Sequence, residues 1–203
     1  MLIATTNPGK LVEMEALFSD FPGPPLKLIS LVDIDLVLDV KEDGQTYQEN
    51  ASKKAMAYSL SSCMLTLADD SGVEVEVLDG RPGIYSARYS GKPDATDADR
   101  RAFLLNELSG YSRPWKARFC CVVAVGLPDG RVYTCSGQCQ GEIIPEERGT
   151  SGFGYDPIFQ FSEPGYAGYT MAELGLEEKN QISHRARAVR AAFPIVERLL
   201  RSG

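Results

Sequence analysis

Leu67-Ala68-Asp69-Asp70-Ser71-Gly72 sets two adjacent carboxylates at the end of an apolar run and follows them with turn residues. An unpaired ionised carboxylate in apolar surroundings costs several kcal/mol or shifts its pKa. A cation therefore belongs beside this pair, and a hard divalent metal held by oxygen is the leading candidate. A solvated strand end closed by turn-forming Asp and Ser is the other reading. The hexapeptide alone leaves both open.

Four more segments carry residue types suited to an anionic, ring-bearing ligand. Thr5-Thr6-Asn7-Pro8-Gly9-Lys10 falls where a first strand turns into a first helix. Backbone N–H groups and the positive helix end favour phosphate at such a turn, and Lys10 adds a charge within reach. The spacing is not that of a Walker A loop, and the same residues also make an ordinary turn. Between Glu42 and Lys54, Glu42 is a candidate second oxygen ligand in a polar loop. Glu49 reads as a capping-box carboxylate and Lys53 as a solvated surface lysine.

Ser151-Gly152-Phe153-Gly154-Tyr155-Asp156-Pro157 combines glycines, two aromatics and a carboxylate. Glycine lets a backbone approach a ligand, and an aromatic face stacks on a nucleobase for about 1–3 kcal/mol. Packing of both rings into the core is the competing reading. Lys179-Asn180-Gln181-Ile182-Ser183-His184-Arg185 puts cationic donors where the last helix begins, although helix electrostatics favour acids there. An acceptor-rich ligand would explain that exception.

These residues need elements to hold them. Leu2 to Thr5 and Lys27 to Leu31 read as short strands, with a helix between them carrying Leu11, Met14, Leu17, Phe18 and Phe21 at helical spacing. Thr46 opens a helix that runs to about Ser62, and Met64 to Ala68 forms a strand leading into the aspartates. Val73, Val75 and Val77 alternate with acids as a separate half-exposed strand. Thr96 to Leu108 is a helix, and Lys116–Leu127 and Arg131–Ile144 form a long hairpin. Ser183 caps a final amphipathic helix with Val189, Ala192, Phe193, Val196, Leu199 and Leu200 on one side and a kink expected at Pro194. The sum is one α/β domain over residues 1–203, with a mixed, twisted sheet and helices on its faces.

A chain of 203 residues, 43% hydrophobic and 24% charged, has the composition of a soluble globular protein. Its apolar runs are too short to span a bilayer, and Met1-Leu2-Ile3-Ala4 lacks the basic start of a signal peptide, so a cytoplasmic location is expected. A net charge of −7 argues against nucleic acid as a partner, while a small anion remains compatible if cations cluster locally or a metal mediates. The single histidine, His184, rules out a multi-histidine zinc site. The five cysteines show no paired CxxC sets and read as reduced, mostly buried thiols, with the adjacent Cys120 and Cys121 facing opposite sides of a strand.

Taken in order, Thr5–Lys10, Glu49-Asn50-Ala51, Ala68–Gly72, Pro82-Gly83-Ile84-Tyr85-Ser86-Ala87-Arg88, Ser151–Pro157 and Ile182–Arg185 make the chain resemble the inosine triphosphate pyrophosphatase (Ham1-like) family over essentially its whole length. That family hydrolyses non-standard purine triphosphates. The resemblance implies an elongated two-lobed α/β fold with a cleft between the lobes, a homodimer and dependence on Mg²⁺. It implies that Thr5, Thr6, Asn7, Pro8, Gly9 and Lys10 hold phosphates, and that Asp70 is the catalytic acceptor and a metal ligand with Glu42. Ser71 would touch substrate, Phe153, Gly154, Tyr155 and Asp156 would embrace base and sugar, and Lys179, His184 and Arg185 would read the base. Thr6 and Lys41 depart from the family's usual glycine and acid.

Strand alternation adds one expectation: Asp69 and Asp70 share a face only if the chain turns at Ser71-Gly72. Water attacks the α-phosphorus in the expected reaction, and donors facing the 6-oxo group of inosine or xanthosine exclude adenine, whose 6-amino group is itself a donor. A pyrophosphatase for modified pyrimidine triphosphates and a nucleotide-binding regulator without turnover are the alternatives.

Overall fold

The computed structural model describes residues 1–201. In chain order the elements are β1 (Leu2–Ile3), α1 (Pro8–Ser19), β2 (Ile29–Ser30), α2 (Tyr47–Ser62), β3 (Thr66–Val75), α3 (Asp97–Leu108), β4 (Trp115–Gly126), β5 (Val132–Ile143), β6 (Phe159–Phe161), α4 (Leu176–Ile182) and α5 (His184–Arg201). The six strands join in the order β2-β1-β3-β4-β5-β6. β1 pairs in parallel with both β2 and β3, while β5 and β6 run antiparallel, so the sheet is mixed as expected.

Helix starts follow local chemistry. The Asn7 side chain accepts the Lys10 N–H at 3.1 Å and Pro8 occupies the first turn of α1. Thr46 Oγ1 accepts the Glu49 N–H at 3.1 Å to open α2. The Glu49 carboxylate reaches back to the Gln45 N–H at 2.8 Å rather than closing a box on Thr46. Thr96 and Asp99 cap α3 reciprocally.

The chain divides into two compact units. The first comprises Met1–Asp70, Cys121–Gly137 and the segment from His184 onward. Its strands are covered on both faces, which explains their near-continuous apolar runs. Ile3, Leu67, Cys121, Val123 and Val125 pack with Met14, Leu17 and Phe18 of α1 and Val189, Ala192, Phe193 and Val196 of α5. Leu2, Ala4, Ala68 and Ala124 face the other way, onto Ala51, Ala55 and Tyr58 of α2. The second unit comprises Ser71–Cys120 and Gln138–Ser183. Leu104 and Leu108 of α3 pack there with Val73, Val75, Trp115, Phe119, Ile143, Phe159 and Phe161. The opposite side of those strands borders an open groove of about 750 Å³ that includes Glu74, Lys116, Arg118 and Glu142.

Three expectations change. Met64–Ala68 and Val73–Val77 are not separate strands, because β3 runs unbroken for 10 residues through Asp69-Asp70-Ser71-Gly72. Lys27 to Leu31 contributes only the two residues of β2. A short helix, α4, stands before Ser183 where none was expected, while Ser183 keeps the extended backbone of a residue capping α5. α5 continues through Pro194 with the expected buried stripe. None of the five cysteines forms a disulfide: Cys121 and Cys139 are buried, Cys120 and Cys135 half-buried, and Cys63 exposed. Cys120 lies near Glu74 and Arg118 while Cys121 lies near Asp69, the opposite orientations that alternation requires. Among the described residues no helix is long and apolar enough to cross a membrane.

Candidate active site

Because β3 passes straight through the aspartate pair, consecutive side chains leave it on opposite faces. Asp69 follows Leu67 onto the α1–α5 side, and Asp70 follows Ala68 onto the α2 side. No turn brings the two together, which corrects the expectation built on Ser71-Gly72.

Asp69 is 2% exposed and meets three cationic contacts. Lys10 Nζ lies 3.0 Å from its Oδ2, and Nη2 and Nε of Arg185 donate to the same oxygen at 3.3 and 3.4 Å. Burial alone would raise this carboxyl, but Lys10, Arg185 and Lys54 together hold it well below the ordinary carboxylate range. Arg185 also pairs with Glu13, which sits in the buried stripe of α1. Burial would lower the Arg185 pKa, and the two carboxylates outweigh it. The cation at the start of α5 is therefore answered from within the protein, not by a ligand as its position first suggested. His184 beside it is buried.

Asp70 experiences a different setting. Its Oδ2 accepts from Asn50 Nδ2 at 3.0 Å, and the same amide's oxygen takes the Gly44 N–H at 2.8 Å. Burial pushes the Asp70 carboxyl up, against the pull of Lys54 and the Asn50 hydrogen bond. Lys54 Nζ pairs with Glu42 Oε1 at 2.9 Å. Burial would lower the Lys54 pKa, yet Asp69, Glu42 and Asp70 keep it raised. Glu42 and Asp70 thus act on one cationic group, and Glu42 repels a charge on Asp70. Two hard oxygen donors suit Mg²⁺, which usually takes one or two carboxylates and fills its shell with water and phosphate oxygens. Among the described residues no cluster of three His, Cys, Asp or Glu forms a cage. The donor set fits the ion in that open mode.

The strand–helix turn is built as expected. Thr5 Oγ1 accepts the Asn7 N–H at 3.2 Å, with Thr6 and Pro8 exposed and Gly9 and Lys10 half-buried. Ser71 is half-buried within β3.

In the second unit, the Asp156 carboxylate accepts the Phe153 N–H at 2.9 Å and pairs with Lys179 at 2.6 Å. Lys179 Nζ lies 4.9 Å from the centre of the Phe153 ring, a cation–π distance. The structure gathers Phe153, Asp156 and Lys179 into one cluster. Tyr155 departs from its expected place against the base. It is 4% exposed, belongs to the core, and its hydroxyl donates to Ser86 O at 2.9 Å. Ser86 in turn accepts the Val73 N–H at 3.0 Å and donates to Gly83 O at 2.6 Å.

Glu13, Asn50, Lys54 and Ser86 were absent from the expected site. Glu13 left a signal as a charge in the helical stripe of Met14 and Leu17. Asn50 and Lys54 are i and i+4 beside Ala51 and Ala55, a polar pair edging an apolar stripe.

A strand-to-helix turn with exposed backbone, a buried carboxylate on β3 facing the polar edge of α2 and an aromatic–cation cluster, set in an α/β fold, are features of nucleotide-handling proteins. The sequence model of the Ham1 family matches residues 1–195, and the chain belongs to that family. A dITP/XTP pyrophosphatase of Geobacter sulfurreducens is 48% identical over 93% of this chain and 92% of its own length. Another, of Desulforamulus reducens, is 42% identical over 98% and 96%. Among solved structures, a HAM1 protein of Coxiella burnetii matches with a TM-score of 0.83 and 37% identity, covering 96% of each chain. The Ham1 protein of Staphylococcus aureus matches at 0.80 and 38%, covering 97% of each.

Proposed function

We propose that this chain hydrolyses non-standard purine nucleoside triphosphates (dITP, ITP and XTP) to the monophosphate and pyrophosphate, clearing them from the nucleotide pool. The observation that carries this reading is the setting of Asp70: a buried, raised carboxylate held by Asn50, with Lys54 and Glu42 at hand. The likeness to relatives named dITP/XTP pyrophosphatase supports the choice of substrate.

Asp70 takes the proton of a water that attacks the α-phosphorus, and the bond to the β-phosphate oxygen breaks as pyrophosphate leaves. Asp70 and Glu42 would hold Mg²⁺, which supplies charge neutralisation at the leaving pyrophosphate. Thr5–Lys10 orient the phosphate chain, and Lys10 turns its charge from Asp69 toward the phosphates while Arg185 continues to balance Asp69. Ser71 contacts the substrate. Phe153 stacks on the base beside Gly154, and Asp156 holds Lys179, whose N–H groups face the 6-oxo acceptor. Tyr155 supports this loop from the core. Arg185 fixes the first turn of α5 through Glu13 and Asp69 and so places His184 for the base edge. Adenine brings a donor to these donors and is rejected, a stronger filter than shape alone. The chain works as a single catalytic domain over residues 1–203, as a homodimer in the cytoplasm.

A pyrophosphate-release assay with Mg²⁺ across dITP, XTP, dATP, dUTP and dTTP tests the proposal. Turnover of dITP and XTP at least 100-fold above dATP is expected, with loss of activity in Asp70→Asn. Preference for dUTP or dTTP would move the substrate class to pyrimidines, and binding without release would leave a regulator.

A further inference from the structure

We propose that the first turn of α3, through Asp97 and Arg101, is a positioning clamp on the base loop that sets discrimination between 6-oxo and 6-amino purines; this rests on assigning Phe153–Asp156 to the base. The two side chains are one helical turn apart on one face of α3 and grip a single residue of that loop from both ends. Asp97 Oδ2 accepts the Gly154 N–H at 2.7 Å, and Arg101 Nη1 donates to Gly154 O at 2.8 Å. Each gripping group is itself braced. Arg101 pairs with Glu147 through Nε and Nη2 at 2.8 and 2.9 Å, and Asp97 pairs with Arg100. The Arg101 side chain is 12% exposed against 48% for Glu147, so its charge is turned inward to the loop.

The loop needs such a brace. Gly152 and Gly154 lie at φ +76° and +62°, and a Cβ on Gly154 would meet nothing within 4 Å. A glycine with open space around it has wide backbone freedom. Phe153 precedes that glycine and Asp156 follows two residues later, so the orientation of ring, carboxylate and Lys179 depends on how the Gly154 peptide is held. Charge-assisted hydrogen bonds from a rigid helix meet this ordering cost before the base arrives. The phosphates are handled by other residues, so a loosened clamp weakens base binding and selectivity while leaving the chemical step intact.

Steady-state kinetics of Asp97→Ala and Arg101→Met on dITP and dATP, with Arg101→Lys and Glu147→Gln as milder variants, test the clamp. Loss of one such contact is expected to raise KM for dITP about 10- to 100-fold. The dITP/dATP selectivity should fall in step, with kcat within about threefold of the parent and Arg101→Lys largely restoring both. Amide exchange at Gly154 should quicken in Asp97→Ala, a readout independent of activity. Unchanged KM and selectivity, or kcat falling with thermal stability at constant selectivity, would overturn the clamp and leave α3 a structural support. Phe153→Ala runs alongside: if it leaves KM for dITP unchanged, the base-loop assignment fails and the clamp's role in specificity fails with it. If the parent does not turn over dITP while Gly154 exchange still responds to Asp97→Ala, the substrate proposal fails instead, and the specificity role with it.

Discussion

Asp69 and Asp70 are neighbours in sequence and opposites in energy. Asp69 is held ionised by Lys10 and Arg185, so its charge stabilises the fold. Asp70 is buried with a raised pKa, so its ionised form costs stability while being the form able to accept a proton. Asp69→Asn should destabilise by about 3–5 kcal/mol, the cost of breaking a buried pair, leaving Lys10 without its carboxylate and Arg185 with Glu13 alone. Asp70→Asn should raise the Tm in chelator-treated protein while abolishing turnover. The signs follow from linkage. A lowered folded pKa contributes stability above the unfolded pKa that is lost as pH falls through the folded value. A raised one imposes a cost that appears as pH climbs past the unfolded value. The Tm gain of Asp70→Asn should therefore be present at pH 7 and vanish below about pH 4. Thermal unfolding at both pH values checks this, and two destabilised variants at pH 7 would contradict it.

At the scale of elements, close helix-to-strand contact does the positioning, and this is where sequence and structure part company. The caps at Asn7, Thr46 and Thr96 are local, involve residues three positions apart, and could be read directly. The hairpin β4–β5 and the stripe of α5 were legible for the same reason. β3 was not. Asp-Asp-Ser-Gly looks like a turn because nothing nearby in sequence neutralises it, whereas Lys10 and Arg185 arrive from α1 and α5. Of the candidate site, the strand-to-helix turn at Thr5–Lys10 and the carboxylates stood out by residue type. The partners of Arg185 and Tyr155 depended on contacts across 116 and 69 positions. Gly137 shows the same limit: a Cβ there would lie 2.3 Å from His184 O and 2.5 Å from Ala188 N, backbone atoms that yield only if α5 itself moves. Gly137→Ala should shift α5 and cost about 1–3 kcal/mol. Gly110, with nothing within 4 Å, should accept alanine within about 0.5 kcal/mol. Urea unfolding of the two variants separates them, and equal midpoints would remove the role given to Gly137.

The molecule as a whole carries −7, and the residues assigned to the substrate do not reverse that sign. Lys10, Lys54 and Arg185 face Glu13, Glu42, Asp69 and Asp70, three cations against four carboxylates. Each cation already has a carboxylate partner, so a triphosphate approaching these residues meets no surplus positive charge. Its own charge must then be offset by something it brings or finds, and a divalent ion shared with Asp70 and Glu42 would do this where the charge is densest. Capture of the substrate, and not only its hydrolysis, should thus depend on the ion. For Asp70→Asn, which still carries Glu42, and for the parent with a non-hydrolysable dITP analogue, titration calorimetry separates the two steps. Binding of the analogue to the parent should weaken at least 100-fold in EDTA and recover with Mg²⁺. Asp70→Asn should show a smaller response to the ion, having lost one of the two ligands. An analogue that binds the parent equally well with and without Mg²⁺ would mean that the paired lysines release their carboxylates for phosphate unaided, and the charge argument would fail.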